Sequence, residues 1–235
     1  MTAERKSNTS IPPERRHFEY LVYGILSFLF FAIAIISFAW WSNHRRMDDV
    51  MREIDNRSLV VAEGLKLMLA PDFHDRAVDE KAISFEEEMK NRRAFNEFRL
   101  KTGFKWIYTL VEKDGKYYFT APSVSEEEAK ERKSWYFYPY DDIPEEFVEA
   151  LRTSKKAYVS YSDQWGAFRS IALPETSPGG RKYLSCADFE ITHLEALKRR
   201  NFMESVAIAL FFFACSSPIM LVAWRYFRTS AKQLR

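Results

Sequence analysis

Hydrophobic positions follow three different rhythms along this chain. Two runs are apolar on every side: YLVYGILSFLFFAIAIISFAWW, from Tyr20 to Trp41, and SVAIALFFFACSSPIMLVAW, from Ser205 to Trp224. A helix rises about 1.5 Å per residue, and a hydrocarbon core about 30 Å thick needs roughly 20 residues to cross. Core helices of a soluble protein keep a polar face at that length. Both runs therefore predict membrane-spanning helices, over 20–41 and 202–224. Aromatic residues at their ends (Tyr20, Tyr23, Trp40, Trp41, Trp224, Tyr226) suit the headgroup layer. The first run exceeds the apolar length of a cleavable leader, and WWSNHRR offers no small-residue cleavage site, so a retained anchor is expected.

Between the runs the rhythm changes to helical and then to two-residue spacing. Met47, Met51, Ile54, Ser58, Val61, Leu65 and Met68 alternate at steps of four and three, a heptad row with one polar break. They predict a long helix from Trp41 to about Ala70, ended by Pro71. Two partners for the row are open: its own domain, or a second copy of the chain. A second helix opens at Ser84, where S-F-E-E reads as a capping box with Glu87, and closes at Thr102-Gly103. WIYTLVEKDGKYYFTA predicts a hairpin around Asp114-Gly115. A capped helix at Ser125 and a helix PEEFVEALRTSK follow. AYVSYS, AFRSIAL and RKYLSCADFEI predict three further strands, the last two joined by ETSPGG. ITHLEALKRRNFMES then reads as a helix running into the second span. The sum is an α+β domain with five antiparallel strands and helices inserted in the middle.

Charge sets the orientation. The 235 residues carry a formal net charge of +2, so no nucleic acid is expected as a partner. Basic residues flank the spans on the tail side: Arg5, Lys6, Arg15 and Arg16 before the first, and Arg225, Arg228, Lys232 and Arg235 after the second. Both tails (1–19 and 225–235) are thus expected in the cytoplasm, and the domain over 42–201 outside it. Arg45, Arg46 and Lys198 to Arg200 compete with that orientation, but long loops translocate largely regardless of charge. Cys186 falls in the domain and Cys215 in the second span, so no intrachain disulfide is expected.

The candidate chemistry concentrates in RKSWYFYPYDD, Arg132 to Asp142. Aromatic walls with a few charged groups are what a small-molecule cleft needs; aromatics closing a sheet edge are the plainer explanation. Trp165 either lines the pocket or caps the core. Arg169 is placed mid-strand, where a buried guanidinium needs a partner. Asp188, a ligand carboxylate and solvent are the three options. Asp72, His74, Asp75 and Asp79 lack a recognised metal spacing, and no metal or cofactor is expected. The four histidines are scattered, and no catalytic set of Ser-His or Cys-His type emerges; no enzymatic activity is expected.

The order of these elements resembles a family. KWIYTLVEKDGKYYFTA, SWYFYPYDD and WGAFRSIALPETSPGGRKYLSCADFEI, across roughly 42–200, resemble the Cache sensor domains, extracytoplasmic relatives of PAS domains. The resemblance implies a long membrane-emergent helix, a five-stranded sheet, and a small ligand such as an amino acid or carboxylate. It also implies an output such as a histidine kinase, diguanylate cyclase or chemotaxis receptor. The amino-acid-binding members carry Arg-x-Trp-Tyr and a later Asp. Here Trp135-Tyr136 and Asp188 match, while Lys133 stands at the Arg position and Arg132 one residue before it. A planar fork and a point charge hold a carboxylate differently. The expected ligand residues are therefore Arg132, Lys133, Trp135, Tyr136, Tyr138, Tyr140, Trp165, Arg169 and Asp188.

The expected function is a membrane-anchored sensor of a small anionic or amino-acid-like molecule, a homodimer through its helices. Its output is expected on a separate protein or on a further segment of a longer receptor. Pro218 is expected to place a kink in the path through the second span. The alternative is a membrane scaffold that acts laterally on another protein and binds no ligand.

Overall fold

The computed structural model describes residues 13–163 and 166–233. The chain divides into two units, Met1–Met47 with Leu197–Arg235, and Asp48–Ala196. The parts of helix α1 (Pro13–Met68) up to Met47 and of helix α6 (Leu194–Gln233) from Leu197 supply the first unit. There Phe213 meets Phe28 and Phe31, with ring centroids 5.9 and 6.4 Å apart. Most other large side chains point outward, among them Phe30, Trp40, Phe211 and Phe212. The 43 residues from Leu26 to Met68 hold a stretch long and apolar enough to cross a bilayer, with only 6% of it buried. The second apolar run is helical within α6 and continues through Pro218. Several of its side chains, Trp224 included, lie outside the described residues.

The second unit holds one sheet. Its strands are β1 (Trp106–Lys113), β2 (Lys116–Phe119), β3 (Tyr138–Pro139), β4 (Ala157–Asp163), β5 (Gly166–Thr176) and β6 (Lys182–Glu190). The order is β3-β2-β1-β6-β5-β4, and each of the paired strands is antiparallel to its neighbour. The five expected strands are present. The sixth, β3, corrects the expectation: Tyr138 and Pro139 pair with Phe119 and Tyr118 at the sheet edge. Proline lacks a donor and is tolerated only at such an edge, which is why the segment reads as loop in sequence. The β1–β2 turn has positive φ at both Asp114 (54°) and Gly115 (74°), the twist a two-residue hairpin requires.

Helices flank the sheet. α2 (Phe73–Arg76), α3 (Phe85–Thr102), α4 (Glu126–Glu131) and α5 (Glu145–Thr153) join α1. The box expected at Ser84 forms by half. Its hydroxyl accepts from Glu87 N, but the Glu87 carboxylate takes Arg76 instead, at 2.6 and 2.9 Å. A guanidinium is the stronger donor for a carboxylate. The box at Ser125 is complete with Glu128.

The sheet buries both faces. α1 and α3 cover one, over Val61, Leu65, Phe95, Ile107, Ile171 and Ala187. α5 covers part of the other, with Phe147 and Leu151 against Leu110, Ala172 and Leu184. Ile54, Ser58, Val61 and Leu65 of the heptad row are all buried. Ser58 donates back to the Ile54 carbonyl at 2.7 Å, which satisfies a hydroxyl placed among apolar neighbours. From Ile54 onward the row thus serves the chain's own domain and is not available as a seam with a second copy.

His74 of α2 is buried, with its ring stacked 3.6 Å from that of Tyr183. Burial, and then the Arg181 charge, hold its pKa down at about 3. The unfolded chain binds this proton below pH 6.5 and the folded protein does not until about pH 3. Stability from His74 is therefore complete above pH 6.5 and is lost as pH falls towards 3. Chemical denaturation over that range should show a slope of about 1.4 kcal/mol per pH unit from this group, and His74→Phe should remove that part of the slope. An unchanged slope in the variant would show that His74 does not carry it.

Candidate ligand-binding face

The face of the sheet shared with α5 carries a second, more polar region. Strand alternation sends Trp106 and Tyr108 of β1, Asp188 of β6, Phe168 of β5 and Tyr161 of β4 to this side. Asp188 is buried, 3% exposed. Its carboxylate accepts from the Tyr108 and Tyr161 hydroxyls, both at 3.3 Å. Tyr140 stacks on Phe119 at 5.0 Å and meets Tyr108 edge-on at 6.3 Å. Phe168 lies between Trp106 (5.1 Å) and Tyr161 (5.6 Å). Burial first, and then the Asp188 charge, push the hydroxyl pKa values of Tyr108, Tyr140 and Tyr161 up. All three stay protonated near neutral pH, and Tyr108 and Tyr161 donate to Asp188. Burial also pushes the Cys186 thiol up, so it remains a thiol.

Glu128 of α4 joins this floor to a more exposed rim. Trp106 Nε1 donates to its carboxylate at 3.4 Å, and Trp135 Nε1 donates to its backbone carbonyl at 3.2 Å. Trp135 packs edge-on against Tyr138 at 5.2 Å. The Arg132 guanidinium lies 3.8 Å over Tyr138 and 5.7 Å from Trp135, a cation–π pairing. Tyr138 is the cross-strand partner of Phe119, which carries the rim back to Tyr140.

The expected residues thus fall into three sets. Asp188 and Tyr140 share the floor, and Arg132, Trp135 and Tyr138 share the rim. Lys133, Tyr136 and Arg169 lie elsewhere, and Trp165 lies outside the described residues. Lys133 is exposed, and its backbone carbonyl accepts from Arg92 at 3.1 Å. Tyr136 packs in the core with α1 and α3, and its hydroxyl donates to the Asp79 carbonyl at 2.9 Å. Arg169 does not pair with Asp188. It forms a two-pronged pair with Asp55 of α1 at 2.7 and 2.8 Å and also donates to Ser160 at 3.1 Å. The register explains the miss: Arg169 faces Phe189 across the strands, while Asp188 faces Ser170. Adjacent strand positions point to opposite faces.

Trp106, Tyr108, Tyr161 and Phe168 escaped the sequence reading, although KWIYT already spaces Trp106 and Tyr108 two residues apart. Among the described residues no three His, Cys, Asp or Glu side chains converge as a metal ion would require. Asp75, from the acidic stretch near His74, instead accepts from Ser177 and from Gly179 N. Chemically, the Asp188 face offers a carboxylate, tyrosine hydroxyls and aromatic ring faces. That set favours a cationic group, because ring faces and carboxylate present the same negative sign.

No family model matches the sequence, and no curated protein matches it. Among solved structures, similarity extends to the ligand-binding domain of the Campylobacter jejuni chemoreceptor Tlp3 in complex with L-valine. That match has 13% identity over 84% of this chain and 68% of that one, with a TM-score of 0.41. The ligand-binding domain of the Pseudomonas aeruginosa PAO1 amino acid chemoreceptor PctC, in complex with GABA, matches at 13% identity. It covers 64% of this chain and 68% of that one, with a TM-score of 0.29. A phycocyanobilin-bound GAF domain from a cyanobacterial phytochrome matches at 15% identity over 55% and 86%, with a TM-score of 0.30. Two of the three are sensor domains of chemoreceptors. At these identities and TM-scores the likeness carries no ligand or partner over to this chain.

The Arg169–Asp55 pair is expected to be structural. Both side chains are about one-fifth exposed. A double-mutant cycle with Arg169→Met and Asp55→Asn should return a coupling of about 1 kcal/mol in stability. Near-zero coupling would reduce the pair to a surface contact.

Proposed function

We propose that this chain is a membrane-anchored, non-catalytic sensor with a Cache-like domain outside the cytoplasmic membrane, and that it binds a small amine-bearing, amino-acid-like molecule. The observation that carries this reading is Asp188, a buried carboxylate held by tyrosine hydroxyls and surrounded by aromatic rings. A protonated amine against it gains charge-assisted hydrogen bonds and cation–π contacts in a low-dielectric setting. A carboxylate in the same place is repelled. The anionic ligand expected from the sequence rested on the aromatic and cationic cluster from Arg132 to Tyr140 together with Arg169; Arg169 pairs with Asp55 of α1, and Arg132 at the rim is left to meet a carboxylate end of an amino acid. The receptor type proposed is a two-span input module of the histidine kinase or diguanylate cyclase kind. The apolar runs and basic flanks of the sequence support the two spans, and the kind of output rests on the resemblance to Cache sensor domains alone.

A matched four-carbon series tests the charge class: n-butylamine, γ-aminobutyrate and butyrate, added to the purified chain in detergent. The two amines should raise the melting temperature and butyrate should not. At 100 times its dissociation constant a ligand adds about 2.7 kcal/mol. Asp188→Asn should fold and lose the response, and Trp135→Ala should weaken it. Stabilisation by butyrate alone, or silence across the series and the amino acids, would refute the reading.

Topology is tested separately. Single cysteines in the 1–19 tail, in a background lacking Cys186 and Cys215, should resist a membrane-impermeant maleimide in intact cells. A cysteine at Lys155, exposed in the domain, should react. The reverse labelling pattern would turn the model inside out.

A further inference from the structure

The rim depends on a short strap, Ser134–Tyr136, and the strap is held from the far side of the sheet by α3. Glu88 and Arg92 sit one helical turn apart, with side chains 5% and 6% exposed. One Glu88 oxygen accepts from Arg92, from Trp135 N at 2.8 Å and from Tyr136 N at 3.2 Å. The other accepts from the Ser134 hydroxyl at 2.6 Å. Arg92 in turn donates to the Lys133 carbonyl at 3.1 Å. Four consecutive residues, Lys133 to Tyr136, thus bind one buried ion pair.

The strap is unusual in two further ways. Phe137 follows it with φ of 55°, a left-handed conformation costly for an aromatic residue. It sends Tyr136 and Phe137 together into the core with α1 and α3, while Trp135 reaches Glu128 at the rim. The pair is also expensive to bury. Arg92 Nε and Asn91 Nδ2 have no hydrogen-bond partner among the described residues. A buried ion pair with unmet donors is a poor source of stability against an apolar replacement. Its return lies in fixing one geometry of the strap.

We infer that Glu88, paired with Arg92, is a positioning residue for the ligand face: it clamps the strap so that Trp135 stands at the rim, donating to the Glu128 carbonyl. The inference rests on the reading of the Asp188 face as the binding site. Neither residue touches that face, so the effect passes through the backbone of Ser134 to Tyr136.

The test uses the full chain in detergent, labelled with 5-fluorotryptophan, with the Trp135 ¹⁹F resonance assigned by Trp135→Phe. Two variants loosen the clamp. Ser134→Ala removes one tie and leaves the buried pair intact. Glu88→Gln combined with Arg92→Met removes both charges together, so neither is stranded. Both should shift or broaden the Trp135 resonance, and Ser134→Thr should restore it. If the strap then holds its binding geometry a tenth of the time, the dissociation constant for n-butylamine rises about tenfold. A Trp135 resonance unmoved in both variants, even with a lowered melting temperature, would overturn the inference and leave the pair a packing element. A moved resonance with unchanged n-butylamine affinity would overturn it as well. Silence of n-butylamine with the wild-type chain would refute the amine reading of the site, while the ligand-free resonance would still decide whether Glu88 positions Trp135.

Discussion

One geometric constraint governs which side chains can meet in this domain. β6 lies between β1 and β5, and its residues alternate strictly between two buried faces. Ala187 joins the core beneath α1 and α3, and Asp188 joins the tyrosines on the α5 side. The same phase carries across both ladders: Trp106 and Ser170 stand opposite Asp188, and Ile107 and Ile171 stand opposite Ala187. A slip of one residue would place a carboxylate among Leu65 and Phe95 and lose the tyrosine hydroxyls. Burial on both faces therefore locks the register more firmly than either hairpin turn alone.

The elements were legible in the sequence because each carries a local signal. Asp114-Gly115 marks a two-residue turn, Ser84 and Ser125 mark helix starts, and Gly103 marks an end in the left-handed conformation. The apolar runs declare themselves by length. What the sequence did not supply was the phase between strands distant along the chain. Arg169 and Asp188 are both mid-strand and opposite in charge, so they looked like partners. Only the register, with Ser170 opposite Asp188, places them on different faces. The same gap hid Tyr108 and Tyr161, which read as ordinary strand aromatics until a buried carboxylate is found between them. Tyr136 was expected at the site only because Trp135-Tyr136 resembles the family's Trp-Tyr pair, and here it packs in the core with α1 and α3. The left-handed turn at Phe137, with φ of 55°, sends Tyr136 and Phe137 into that core while Trp135 stays at the rim, and a non-glycine at positive φ leaves no composition signal.

The α1 row shows how a helical pattern can be right in period and open in partner. A heptad spacing fits a coiled coil and also fits one helix laid on a sheet. Here Val61 and Leu65 fill the sheet core, and Ser58 bonds to its own helix, so from Ile54 onward the apolar stripe is satisfied within one chain. Two polar ties reinforce the placement: Arg169 to Asp55 and Lys66 to Glu175 at 3.0 Å, both to β5. Each tie is modest in stability, on the order of 1 kcal/mol or less. Their value is in fixing where β5 stands along α1.

Those ties bear on how a binding event on the Asp188 face would be felt elsewhere in the domain. β5 presents Ser170 towards Asp188 and the neighbouring Arg169 towards Asp55 of α1. At the end of β6, Ile191 N donates to the Ala167 carbonyl, and Ala167 N donates to Thr192. α6 begins at Leu194, whose N–H donates to the Ile191 carbonyl. Few residues thus separate the buried carboxylate from either helix that leaves the domain. Binding can shift such an arrangement only by the difference in its affinity for two states. β5 is held to α1 through Arg169 and Asp55, and the end of β6 is tied to Ala167 of β5 just before α6 begins, so β5 is the strand that contacts both connections.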